Sequence, residues 1–376
     1  MIYLDNSATT QVDEEVLDAM LPWLRGGYGN ASSIYKLGRE ARVAIEDART
    51  TIASSINAHP AEITFTSGGT ESNNTVLRSC LIESRLADAL YVGATEHHAI
   101  LAPAEELSHQ GYPYTVLPVD SDGLISQDVL ASHNTRRTLV SVMHANNETG
   151  VIQPLSEIRA LMSDVYLHSD AVQTFGKIPI DVETLGVDFL TMSAHKIHGP
   201  KGIGMLFIKK GIDFKAHQQG GGQERNRRAG TEPVALIVGA AVAAQRAVTE
   251  MERRSTHMRS LVDLARQLII DQISQVRFNT PITGCVPNIL NVSFVDADRL
   301  DGEAILQSMD MHGIAVSNGS ACVSGSVQPS HVLRAMGRPH REAKAAVRFS
   351  VSKDNTIEEI TQAVAILGAI VRDLRG

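Results

Sequence analysis

The spacing of apolar residues along this 376-residue chain changes period several times, and each change marks an element. Behind Asp13, a residue suited to cap a helix, Val16, Leu17, Met20, Leu21 and Leu24 recur at helical spacing until Gly26-Gly27 breaks the run. After a polar stretch at 28–33, Leu37, Ala41, Ala44, Ile45, Ala48, Ile52 and Ile56 predict a second helix over about 33–57. From Glu62 the period shortens. Runs at 63–65, 90–92, 114–117, 139–142, 166–167, 187–192 and 203–208 predict strands, mostly with helical segments between them. That alternation predicts an α/β fold, with a mostly parallel sheet flanked by helices and ligands bound outside the carboxyl ends of the strands.

A Gly-rich, charged loop at 218–231 leads to Pro233, a good first-turn residue for a long apolar helix running past Val248. Beyond about Arg254 the rhythm becomes helix, a strand at 288–295, a helix at 301–312, and short elements up to a last helix opened by the capping-box sequence Thr356-Ile357-Glu358-Glu359. These changes predict two domains, the second smaller and α+β, with a boundary near 252–260.

Composition narrows the function classes. A hydrophobic fraction of 43%, a charged fraction of 20% and no repeat or low-complexity tract describe an ordinary globular protein. A net charge of -8 weighs against direct nucleic-acid binding, and Arg225-Asn226-Arg227-Arg228 is too short a basic cluster to reverse that. The longest apolar run, 234–244, falls short of the roughly 20 residues of a membrane-spanning helix. Cys80, Cys285 and Cys322 are widely spaced without a CxxC pair, which fits a reducing compartment rather than a disulfide or zinc framework. With Ile2-Tyr3-Leu4 reading as a strand instead of a leader, a cytoplasmic location is expected.

The chemistry gathers at strand ends. Ser193-Ala194-His195-Lys196 is wedged between two predicted strands, where partial desolvation turns a lysine amine into a nucleophile near neutral pH. Upstream, a strand ends in Asp170-Ala171-Val172-Gln173. A carboxylate after one strand and a lysine after the next is the arrangement that holds pyridoxal phosphate, the lysine linking to the ring and the carboxylate keeping the pyridine nitrogen protonated. Ser67-Gly68-Gly69-Thr70 joins a strand to a helix and offers an anion its amides and helix end. His97, with His98, His195, His198 or Asp170, raises the alternative of a metal site, though no HExxH-like spacing occurs. Cys322 stands in the small, polar run 317–326, where a nucleophile can be exposed; Cys80 and Cys285 fit inert positions.

Taken with Thr66-Ser67-Gly68-Gly69-Thr70-Glu71-Ser72-Asn73, Thr95-Glu96-His97 and Asn318-Gly319-Ser320-Ala321-Cys322, these motifs resemble those of cysteine desulfurases of the NifS and IscS type, within the class V aminotransferase-like group. The resemblance runs from Tyr3 to Ser350. It implies a fold type I pyridoxal phosphate enzyme whose large domain is 13–255, and whose small domain, 1–12 plus 256–376, carries a catalytic cysteine loop at about 318–329. It further implies that Gly69, Thr70, Ser193 and His195 grip the cofactor phosphate, that His97 stacks on the ring and moves protons, and that Asn147 and Gln173 bond the phenolic oxygen. Lys196 would be the cofactor lysine, Asp170 the partner of the pyridine nitrogen, and Thr231 a contact to the phosphate of the neighbouring subunit in a homodimer. Arg348, with Asn30 beside it, would clamp the carboxylate of L-cysteine, and Cys322 would take the sulfur as a persulfide for a sulfur-acceptor protein.

The sulfur's destination stays open among iron-sulfur assembly, tRNA thiolation and DNA phosphorothioation. Selenocysteine lyase and aminotransferase are the alternatives on the same fold, and a metal-dependent hydrolase or a non-catalytic scaffold those of another class. Three departures from the family stand out: Ala229 where Ser is usual, His98 where many relatives carry lysine, and Ser350-Val351-Ser352-Lys353 where Ser-x-Gly-Arg is usual. Many housekeeping relatives also carry a tail beyond the last helix that docks the cluster scaffold, so that partner mode is less expected for a chain ending at Gly376.

Overall fold

The computed structural model describes residues 1–132, 137–295, 300–319 and 328–376. The N-terminal strand is β1 (Ile2–Tyr3), followed by β2 (Ile63–Thr66), β3 (Ala89–Gly93), β4 (Tyr114–Leu117), β5 (Thr138–Ser141), β6 (Tyr166–Asp170), β7 (Phe189–Ser193) and β8 (Gly204–Ile208). Strands β2 to β8 form a seven-stranded sheet in the order β2-β8-β7-β6-β5-β3-β4. Its pairings are parallel from β4 through β7, and β8 is antiparallel to both neighbours.

The reversal of β8 matters for the site. Because β2 is antiparallel to a strand that is itself antiparallel to β7, β2 ends on the same edge as β6 and β7. Gly204 pairs with both Ser193 and Thr66, so the Gly68–Thr70 turn lies beside the lysine turn. A side chain at Gly204 would come within 2.6 Å of the Gly68 Cα, which makes this close approach depend on glycine.

Both faces of the sheet are covered. Along β7, Leu190 and Met192 enter the same core as Val140, Leu167 and Phe207, while Phe189 enters the opposite one with Leu139, Leu90, Leu206 and Ile208. Strands buried on both faces read as near-continuous apolar runs, as these do. The helix Val234–Thr249 covers the first face and packs on the helices Glu14–Arg25 and Lys36–Ser54. Its small residues allow this approach: a methyl at Gly239 would meet the Met20 sulfur at 2.6 Å. The predicted helix over 33–57 is trimmed to 36–54. Pro233 does not open the next helix from within its first turn as expected. It is the N-cap, at ψ 79°, outside the helical region.

The remaining strands among the described residues are β9 (Val276–Phe278), β10 (Ile289–Phe294), β11 (Ile314–Ala315) and β12 (Val347–Ser350). The antiparallel set β12-β10-β9 packs with the helices Met251–Gln272 and Ile357–Arg375 around a second core that includes Leu261, Val292, Phe349 and Leu367. The chain start joins this core, since β1 pairs with β11 and Leu4 is fully buried there. The Thr356–Glu359 capping box forms in both directions. Among the described residues no single helix is long and apolar enough to cross a membrane.

Candidate active site

The ends of β2, β6 and β7 open into one cavity of about 370 Å³. Lined by Gly69, Thr70, His97, Asn147, Asp170, Gln173, Ser193, His195, Lys196 and Arg348, it brings together ten of the thirteen residues singled out by sequence. Asn30 and Thr231 are exposed and do not line it. Cys322 lies outside the described residues. Ser317 and Gly319, just before it, do line the cavity.

Lys196 ends a short turn, Ala194–Lys196, directly after β7. Its amine donates to the carbonyls of Ser7 and Ala8 at 2.5 and 2.6 Å. Burial and the nearby Arg348 charge hold its pKa down at about 8, against the opposing pull of Asp170 and Asp5. Asp170 closes β6 and is 6% exposed. Its Oδ1 accepts the Val172 N–H and its Oδ2 accepts the Asn73 amide at 2.7 Å. Two donors at fixed places hold this carboxylate in one orientation.

Gly69 sits where a side chain would crowd Val172 at 3.0 Å, so a ligand can come against bare backbone at the start of the helix Gly69–Arg78. The Ser193 hydroxyl beside it is buried and has no hydrogen-bond partner. His195 Nδ1 faces the Thr9 hydroxyl at 3.2 Å, and burial with Lys196, Lys201 and Lys177 nearby pushes its pKa down to about 4. His97 Nδ1 accepts the Ala99 N–H, which leaves the proton of the neutral ring on Nε2. Its pKa is lowered, by burial first and by Lys196, His98 and His331, while Asp170 opposes.

Arg348 lies in β12 and is 4% exposed. One terminal nitrogen donates to the Asn147 carbonyl at 2.8 Å and the other to Asp5 Oδ1 at 2.5 Å; Nε is buried without a partner. The departure at 350–353 leaves this strand intact. Ser352 keeps an ordinary negative φ, its N–H is bonded to Asn355, and Lys353 pairs with Asp13 and Asp354. The position usually held by Ser is a buried alanine, Ala229, 5% exposed.

Several contributors were not legible. Residues 5–8 run between the lysine turn and β12, with the Asn6 amide and the Ser7 N–H both bonded to Ser350. Ser7 and Ala8 act through carbonyls, which leave no mark on side-chain pattern. Asn73 closes the Thr66–Asn73 motif, which by itself gives it no role. Its spacing of four from Gly69, one helical turn, was the available signal. Lys177 is buried and donates to Gln173 Oε1 at 3.3 Å, which directs the Gln173 amide nitrogen to Ser7 O at 3.0 Å. Of the His, Cys and carboxylate groups near enough together for a metal, Asp13, His198 and Asp354 form the cluster found among the described residues. There the Lys353 ammonium already lies 2.9 Å from Asp13 and 2.8 Å from Asp354.

This geometry, a desolvated lysine and a fixed carboxylate at neighbouring strand ends beside a glycine-lined helix start, is matched across known proteins. The aminotransferase class-V family model covers residues 2–363. Cysteine desulfurase IscS of Dictyoglomus turgidum is 43% identical over 378 residues, covering 100% of this chain and 95% of that protein. Among solved structures, a NifS-like protein superposes with a TM-score of 0.91 at 36% identity, covering 99% of each chain. A second, described as SspA in complex with cysteine, gives 0.83 at 32% identity, covering 95% of this chain and 100% of its own. The chain belongs to the class-V aminotransferase family and, within it, to the cysteine desulfurases of the NifS and IscS type.

Proposed function

We propose that this protein is a pyridoxal phosphate-dependent cysteine desulfurase that converts L-cysteine to L-alanine and leaves a persulfide on Cys322. The observation that carries the reading is the convergence of the Lys196 amine and the Asp170 carboxylate on one cavity. The residues present fit the cofactor. The unpartnered, buried Ser193 hydroxyl and the side-chain-free wall at Gly69 form a cradle for a phosphate, which Thr70 and His195 extend. Asp170 suits the pyridine nitrogen, His97 the ring face, and Asn147 and Gln173 the phenolic oxygen. When bound, the cofactor supplies an electron sink for the substrate's carbon skeleton.

The chain's own groups do the rest. With its pKa at about 8, Lys196 is in part a neutral amine near neutral pH, ready to bond a carbonyl carbon or to take a proton from a held substrate. His97 is largely neutral and can pass a proton at Nε2. The Arg348 fork receives the substrate carboxylate, with Asn30 assigned beside it by family likeness. The Cys322 thiolate bonds to the substrate sulfur as the carbon–sulfur bond breaks, so that cysteine plus thiol becomes alanine plus persulfide, balanced in atoms and charge. A sulfur-acceptor protein then takes the terminal sulfur.

Thr231 supports a homodimer. It is exposed and off its own chain's cavity, as a residue serving a second subunit's phosphate site would be. We place the large domain at 13–255 and the small one at 1–12 plus 256–376, in keeping with the two cores, and the protein in the cytoplasm, in keeping with the free thiols of Cys80 and Cys285. Borohydride treatment of cofactor-loaded protein tests the reading: the label is expected on the peptide carrying Lys196, and labelling at Lys201 would overturn it.

A further inference from the structure

The segment 5–8 supplies negative ends to both cations of the cavity. Asp5 gives a carboxylate to Arg348, and Ser7 and Ala8 give carbonyls to Lys196. Asp5 is fixed there by more than the ion pair. It bridges to Ser350 in parallel fashion, and the Tyr3 hydroxyl donates to its carbonyl at 3.1 Å. The charged and titratable groups facing it are Arg348, Tyr3 and Lys196.

A guanidinium has five N–H donors in a fixed fork. In Arg348 one arm is turned to Asp5 and another to the Asn147 carbonyl, while the buried Nε–H is unused. A substrate carboxylate approaching this fork meets a carboxylate already on it, at 2.5 Å and 22% exposed. The pair is short and charge-assisted, so it persists against water. Its effect on an incoming anion is repulsive and partly cancels the arginine's attraction.

We propose that Asp5 is a positioning residue, a built-in competitor for Arg348 that orients the fork and weakens its hold on the amino-acid carboxylate, keeping substrate and product exchangeable. The proposal rests on Arg348 being the substrate's carboxylate clamp. Asp5→Asn separates the two functions of the residue, because the amide oxygen can still accept from Arg348 while the charge is gone. The same negative charge also raises the proton affinity of Lys196, which provides a measurement without the cofactor.

The experiment uses the full chain and three variants, Asp5→Asn, Asp5→Glu and Arg348→Ala. The dissociation constant of L-alanine is read from its perturbation of the bound-cofactor spectrum, and the pH midpoint of Lys196 labelling by an amine-reactive probe is read in cofactor-free protein. Asp5→Asn is expected to bind L-alanine several-fold more tightly and to move the Lys196 midpoint below about 8. Asp5→Glu is expected to restore both toward the parent. Arg348→Ala is expected to weaken alanine binding; unchanged binding there would remove the clamp itself. If Arg348→Ala weakens binding while Asp5→Asn weakens it too or leaves it unchanged, the clamp stands and the competitor role is overturned. Should Asp5→Asn fail to fold, Asp5→Ser carries the same expected signs.

Discussion

The side-chain amide of Asn73 donates to Asp170 Oδ2 at 2.7 Å, tying the helix that opens at Gly69 to the strand end that carries the carboxylate. Asn73→Leu fills similar space and leaves a buried carboxylate oxygen without its donor. Such a loss costs about 1–3 kcal/mol, so we expect apoprotein carrying it to bind pyridoxal phosphate roughly tenfold or more weakly, measured by absorbance titration. An unchanged affinity would mean that the Val172 N–H alone fixes Asp170.

Lys196 yields a pH prediction. Because its pKa is lowered to about 8 from the usual 10.5, the neutral amine accumulates with rising pH and is nearly complete about one unit above that midpoint. The rate of cofactor uptake by apoprotein should climb through pH 7 to 8 and level off by about 9. A rate still climbing past pH 10 would show an ordinary, solvated lysine. The linked stability has the same sign: between about 8 and 10.5 the unfolded chain binds more protons at this site, so this lysine's contribution to stability rises with pH in that window.

Glu148 acts oppositely. Buried at 1% exposure and bonded by the Ser330 hydroxyl at 2.5 Å, its carboxyl is pushed up to about 7 by desolvation, which Ser330, Arg348 and His98 only partly offset. Between pH 4.5 and 7 the folded chain binds more protons there, so the stability Glu148 contributes is fully present below 4.5 and is lost as pH rises through 7. Glu148→Gln cannot titrate. The denaturation midpoint of the parent should therefore fall relative to Glu148→Gln over that window, by at most a few kcal/mol in stability, and parallel profiles would refute the shift.

Arg49 and Glu224 form a buried bidentate pair, with nitrogen–oxygen distances of 2.8 and 2.7 Å, and Glu224 also accepts the Phe65 N–H of β2. This pair holds Glu224, Arg225 and Asn226 at φ values of 47°, 57° and 62°, three successive left-handed residues that unaided backbone does not favour. Removing one partner of a buried pair costs about 3–5 kcal/mol. Arg49→Met should lower thermal stability accordingly and, if the loop to Thr231 carries the subunit contact, shift the protein toward monomer in sedimentation. A loss below about 1 kcal/mol would show that the loop holds its shape without the pair.

Where side chains carry the information, the sequence was readable. The alternation of strands with helices placed Asp170, Ser193 and Lys196 at strand ends, and the cavity unites them. Arg348 comes from family likeness alone, because the contact of β12 with residues 5–8 is made by the bridge from Asp5 to Ser350 and the bonds of Asn6 and Ser7 to Ser350, a long-range event with no local pattern. The carbonyls that grip Lys196, the backbone bond from Asn147 to Arg348 and the direction of the antiparallel β8 escaped for the same reason: main-chain groups are alike at every position. Asn30 and Thr231 were named by likeness and lie off the cavity of the single chain.

The central claim concerns sulfur transfer to a protein thiol, and Cys322→Ser tests it most directly. The variant protein, loaded with pyridoxal phosphate and mixed with L-cysteine, is assayed for alanine, with mass spectrometry of the 317–326 peptide for an added sulfur. The parent is expected to release alanine and carry one extra sulfur on Cys322. Cys322→Ser should still change its visible spectrum on adding L-cysteine, yet release no alanine and carry no added sulfur, since serine is a poor nucleophile toward sulfur. Cys80→Ser and Cys285→Ser should match the parent, because both thiols are buried and burial raises that of Cys80 far from reactivity. Alanine and sulfide formed by Cys322→Ser at the parental rate would contradict the account and leave a lyase that needs no protein thiol.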